Sequence, residues 1–102
     1  MVCDIFYGEI SDARKENWTL KANNPYEVLV KNKPITKLGG WEFLTCAKEI
    51  FRDEIQIDWG SFAYKCDKEE LKKLEKQTKC NIPGLNELEE GKDYGIIFIE
   101  NY

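Results

Sequence analysis

With 102 residues, 42% of them apolar and three Trp, five Tyr and five Phe among them, the chain can build one core without a disulfide or metal staple, which excludes a disordered protein. Fifteen basic residues stand against 19 acidic ones; the net charge of −4 excludes broad electrostatic binding to duplex nucleic acid and is too small for a nucleic-acid mimic. Histidine is absent, and with it the usual proton shuttle near neutral pH, the usual activator of Ser and Cys nucleophiles and the commonest zinc ligand.

Val2 to Ile10 is rich in β-formers, with Cys3, Ile5 and Tyr7 on one side and Phe6 and Ile10 on the other, and reads as a strand. This N-terminus has no basic start and no long apolar segment of the secretory kind, and no apolar run reaches the ~18 residues of a membrane span, so a cytoplasmic protein is expected. Ser11 to Asn17 is a polar turn, and Trp18-Thr19-Leu20 begins a return strand that Asn23-Asn24-Pro25 breaks. Tyr26 to Val30 is a third strand, ended by Lys31-Asn32-Lys33-Pro34.

The first main helix is expected after Gly39-Gly40, because Trp41, Phe43, Leu44, Ala47, Ile50 and Phe51 recur at helical spacing while Lys48, Glu49 and Arg52 face away. Ile55 and Ile57 alternate with Gln56 and Asp58, and the same strand continues through Trp59 to Cys66 with a bulge at Gly60. Asp67 with Glu70 three residues on forms a capping-box pattern that opens a helix over Lys68 to Lys79; its apolar stripe is thin, chiefly Leu71 and Leu74, so it is expected on the surface with few core contacts. Asn81 to Gly84 turns the chain, Leu85 to Glu90 suits one helical turn, and Gly91 ends it. Tyr94 to Ile99 is apolar at successive positions, the pattern of a central strand covered on both faces. No repeat, linker or low-complexity tract interrupts the chain, so residues 1–102 are read as one α+β domain, roughly βββαβαβ, with a four- or five-stranded mixed or antiparallel sheet and two helices.

Cys3, Cys46, Cys66 and Cys80 are separated by 43, 20 and 14 residues, spacings that fit neither a zinc knuckle nor a redox pair. In a reducing compartment they are thiols; in a secreted chain two disulfides in any of three connectivities would be allowed. Cys46 falls inside the main helix as a small hydrophobe, and Cys66, just before the second helix, is the better of the poor nucleophile candidates. No metal site or cofactor is expected.

Three charged constellations carry the functional reading. Lys31, Lys33 and Lys37 lead into Gly39, Gly40 and Trp41 at a helix start, where free N–H groups and the helix dipole attract anions and Trp41 is placed to stack on a base. The same residues also fit an ordinary strand-to-helix connection. Lys68, Lys72, Lys76 and Lys79 form a basic ridge along one side of the second helix that suits docking on an acidic partner or on RNA, but Glu69 and Glu75, each four residues before a lysine, are placed to neutralise part of it, which also fits an ordinary solvated face. Glu87, Glu89, Glu90 and Asp93, with Asp53, Glu54 and Asp58 earlier, match no calcium loop but can imitate phosphates toward a basic partner, or form solvated loops.

Residues 1–51 carry seven charges of each sign and residues 52–102 eight basic against twelve acidic, so the acidic excess lies wholly in the second half. With 13 aromatics, some of which should reach the surface, this points to a non-catalytic cytoplasmic protein that docks on another macromolecule, as an inhibitor, immunity factor or adaptor does. Its binding residues are expected to be Trp18, Asp58, Trp59, Glu87, Glu89, Glu90 and Asp93, and its partner a protein with a basic surface, such as a nucleic-acid-handling enzyme. Neither duplex nucleic acid nor a membrane is an expected partner, whereas an exposed sheet edge would allow a homodimer. The rival reading is a binder of a small phosphate-containing ligand or nucleotide at Lys31 to Trp41; a weaker one is a hydrolase using the carboxylates with Mg²⁺.

Overall fold

The computed structural model describes residues 2–18, 27–35, 41–57, 61–79 and 81–101. The side-chain alternation of its first strand organises the architecture. Strand β1 (Val2–Ile10) sends Ile5 and Tyr7 to one face of the sheet and Ile10 to the other, and each set joins a separate buried cluster. A short helix α1 (Asp12–Lys15) follows, then β2 (Leu29–Pro34), helix α2 (Trp41–Ile50), β3 (Arg52–Ile57), β4 (Ser61–Asp67), helix α3 (Lys68–Thr78), a 3-10 turn (Leu85–Glu87) and β5 (Asp93–Asn101). The five strands form one antiparallel sheet in the order β2-β1-β5-β4-β3. The expected α+β class therefore holds, and the last strand lies in the centre.

Strand β5 explains the unbroken apolar run at the C-terminal end. Tyr94, Ile96 and Phe98 point into the helix-side core with Leu71, Leu74, Phe51 and Tyr64, while Ile97 joins Ile10, Trp18, Leu29, Ile55 and Ala63 on the opposite face. On the helix side Phe62 stacks on Phe98 with ring centroids 5.2 Å apart, and Tyr64 meets Phe98 edge-on at 6.0 Å. Helix α3 begins at the expected cap: the Asp67 carboxylate accepts the Glu70 N–H at 2.8 Å, and the Glu70 carboxylate accepts the Asp67 N–H at 3.0 Å.

Four expectations need correction. Leu71 and Leu74 are both wholly buried, so α3 is a core helix; two leucines suffice because they insert between α2 and the sheet. The stretch from Ile55 to Cys66 is a hairpin, with the chain reversing between Ile57 and its partner Ser61; the bulge lies at Arg52 to Ile55, where Asp53 takes φ +56°, and Gly60 lies outside the described residues. Strand β2 begins at Leu29 and runs through Lys31 and Lys33, which a sheet edge tolerates because one flank faces water, and Pro34 sits at its end. Ser11 to Asn17 contains the short helix, and Trp18 is not in a strand; the rest of the expected return strand lies outside the described residues.

Among the described side chains Phe6 and Phe62 are half-buried aromatics, and Val30 is the exposed large apolar side chain. Trp18, by contrast, is 4% exposed. It crosses the face opposite the helices, its indole N–H donating to the Asp53 carbonyl at 2.6 Å and Lys65 lying 6.0 Å above its ring. Register makes room for it: Gly8 of β1 pairs with Gly95 of β5, and a Cβ on Gly95 would stand 3.0 Å from the Trp18 ring and 2.4 Å from Leu29 Cδ2.

Candidate binding cleft and acidic loop

Beyond the helices, the β2-β1-β5 end of the sheet meets the 84–92 segment in a cleft of about 300 Å³. Strand alternation places Glu9 two residues beyond Tyr7, on the face that elsewhere is apolar, where its partly exposed carboxylate is met by cations. It has two: Lys92 Nζ at 2.5 Å and Lys31 Nζ at 3.2 Å. Lys33 reaches across Gly84 to Glu87 at 3.1 Å, and Lys92 lies 4.0 Å from Glu89. Three lysines and three glutamates thus line the cleft, with Tyr7, Tyr94 and Leu88.

The 84–91 segment is pinned to the sheet at several points. Gly84 and Gly91 take φ +74° and +78°, conformations that suit glycine. Leu85 is buried in the helix-side core, and the Glu87 N–H donates to the Gly84 carbonyl at 3.1 Å. The Tyr7 hydroxyl donates to the Pro83 carbonyl, and the Glu89 N–H donates to the Tyr94 hydroxyl at 2.9 Å. From this fixed frame the carboxylates of Glu87 and Glu89 project, each 76% exposed, with Glu90 exposed beside them.

The electrostatics are those of a compensated surface. Lys92 first, then Lys31, hold the Glu9 carboxyl below its ordinary value; Glu87 raises Lys33, and Glu9 raises Lys92. Burial pushes the Tyr7 phenol up, against the opposing effect of Lys33. The cleft therefore presents paired charges and hydrogen-bonding groups.

Of the residues expected to meet a protein partner, Glu87, Glu89 and Glu90 come together on one loop. Asp93 is turned to Arg52, at 2.9 Å, in a group with Glu70 at 3.1 Å and Asp67 at 3.8 Å. Asp93, then Glu70, raise the Arg52 guanidinium, and the group ties β3, α3 and β5 together. Trp18 is withdrawn by burial, and Asp58 and Trp59 lie outside the described residues. Of the rival anion site, Lys31 and Lys33 line the cleft, but each is already bonded to a carboxylate. Lys37, Gly39 and Gly40 lie outside the described residues; Trp41 opens α2, and its side chain is likewise not described.

Sequence reasoning missed Glu9, Lys92, Tyr7 and Tyr94 as parts of this site. Glu9 carried a signal, a charge continuing the inward alternation of Ile5 and Tyr7, and Lys92 stands three residues after Glu89. Cys66, the nucleophile candidate, is fully buried and its thiol is pushed well up by that burial, so it is core packing. Among the described residues no three His, Cys, Asp or Glu side chains are grouped to hold a metal ion, and no helix is long and apolar enough to cross a membrane. No family model, curated protein or solved structure matches the chain.

Proposed function

We propose that this protein is a non-catalytic docking module that binds a basic macromolecular partner through the loop carrying Glu87, Glu89 and Glu90. The supporting observation is the ordered presentation of these carboxylates: two glycine bends, the buried Leu85 and the Tyr94 hydroxyl hold the backbone, while Glu87 and Glu89, though each meets a lysine, stay 76% exposed and Glu90 is exposed beside them. A loop ordered before contact loses little conformational entropy on binding, and clustered charge steers an oppositely charged partner into encounter. A protein that handles nucleic acid offers such a basic surface. A cytoplasmic setting is part of this reading, and in it Cys46 and Cys66 stay thiols.

The test compares the tagged wild-type protein with Glu87→Gln/Glu89→Gln/Glu90→Gln as bait in lysate of the native host, washed at about 0.05 M and about 0.5 M salt. The reading predicts a stoichiometric basic protein held by the wild type at low salt, released at high salt and lost from the triple variant. Equal retention by both baits refutes it. A phosphorylated small molecule eluting without any protein supports the anion-binding reading instead.

A further inference from the structure

The ridge on α3 keeps an excess of positive charge, with few of its lysines in ion pairs. Residues 68–79 hold five lysines and three glutamates, in a chain of net charge −4. Two of those glutamates are committed elsewhere. Glu70 caps the helix and bonds Arg52, and Glu75 accepts the Ile82 N–H at 2.7 Å instead of meeting Lys79. Only Glu69 faces a lysine, Lys72 at 3.6 Å; among the described residues Lys68, Lys73, Lys76 and Lys79 form no ion pair.

The position of the ridge matters as much as its charge. Lys72 is the i−3 neighbour of Glu75 on the helix, Lys79 is the left-handed cap that ends it, and Glu75 is the residue that reaches to Ile82. Helix α3 also packs against the 3-10 turn that begins the acidic loop. Helix α3, which carries the ridge, and the segment that carries Glu87, Glu89 and Glu90 are therefore neighbours in the fold. Lys68, Lys72 and Lys76 recur about once per turn over ~12 Å of helix, and the backbone from Glu87 to Glu90 spans at most ~10 Å, so the loop fits within the length of the ridge. Adjacent patches of opposite sign are what a two-fold interface requires, since each copy then offers its ridge to the other's loop.

We infer that the α3 lysine ridge and the acidic loop together form a self-complementary surface that pairs two copies of this chain about a two-fold axis. The occupant is a second copy because the ridge has no exposed apolar or aromatic side chain to enter a bilayer or stack on bases, while the matching carboxylates are on the same molecule. The inference goes beyond the docking proposal by assigning the ridge. Pairing also covers the acidic loop, so the dimer would be the form without a partner.

The test is sedimentation velocity of the purified chain at about 0.05 M and about 0.5 M salt, with the ridge variant Lys72→Glu/Lys76→Glu and the loop variant Glu89→Lys/Glu90→Lys. All four positions are solvent-accessible, and circular dichroism checks that each variant is folded. The inference predicts a salt-sensitive wild-type dimer, self-association at least about tenfold weaker in either variant, and a 1:1 heterodimer when the two are mixed, because both contacts are then complementary again. A wild-type monomer at low salt, a dimer indifferent to either reversal, or a mixture that stays monomeric overturns it. Failure here is separable from failure of the docking proposal: the ridge variant keeps its acidic loop, and so its capture of a basic partner.

Discussion

Gly95→Ala probes the layer that Trp18 closes over the sheet. Alanine in place of a strand glycine normally stabilises by about 0.5–1 kcal/mol, because the unfolded chain loses freedom. Here the added Cβ would stand 2.4 Å from Leu29 Cδ2 and 3.0 Å from the Trp18 ring, both buried. The Leu29 methyl can turn aside, but Trp18 is anchored at its far end by the bond to the Asp53 carbonyl. Overpacking of this kind costs about 1–3 kcal/mol, which exceeds the entropic gain and reverses the sign. Urea unfolding followed by tryptophan fluorescence should show a lower midpoint at unchanged slope, and thermal unfolding a fall of roughly 4–8 °C per kcal/mol. Leu29→Ala alone should cost about 2–5 kcal/mol, and the double variant less than the sum, because the vacated space accepts the new methyl. If Gly95→Ala equals or exceeds the wild type in stability, the Trp18 packing described here is wrong.

Three further outcomes follow from particular contacts. Asp67→Ala removes the carboxylate that accepts the Glu70 N–H and should cost about 0.5–2 kcal/mol, with faster amide exchange in the first turn of α3. Glu9 is held below its ordinary 4.5 by Lys92 and Lys31, so its ion pairs stabilise above that pH and are lost as pH falls through the lowered value; Glu9→Gln should flatten the acid limb of the stability curve over that window. Cys66 should react with a thiol reagent at the rate of global unfolding, whereas native-state labelling at a rate independent of added urea would contradict its burial.

What could be read in the sequence was whatever rests on local pattern. Asp67 and Glu70 announce the start of α3 because the capping box is built from residues three apart, and Tyr94 to Ile99 announces a central strand because both of its faces are apolar. The start of β2 and the hairpin after Ile57 were obscure, because they depend on which strand lies beside which. Lys31 and Lys33 look like a strand terminator until β2 is known to be an edge, and then they become cleft residues paired across the fold with Glu9 and Glu87. Burial of Trp18 could have been suspected from Gly8 and Gly95, since a glycine inside a strand marks a close approach, but their pairing is a matter of register. The neutralising role expected for Glu75 failed for a similar reason: helical spacing permits a bond to Lys79, and the orphan N–H of Ile82 competes for the same carboxylate.

The central claim, that the pinned acidic loop is the docking surface, is tested most directly by titrating the ¹⁵N-labelled protein with a lysine- and arginine-rich peptide at low salt. The account predicts amide shift changes concentrated over residues 84–94, with the Glu89 N–H among the largest, and their loss in the Glu87→Gln/Glu89→Gln/Glu90→Gln variant. Changes spread evenly over Asp12, Glu16, Glu27 and Asp53 as well would contradict it, because binding would then follow net charge and owe nothing to the loop.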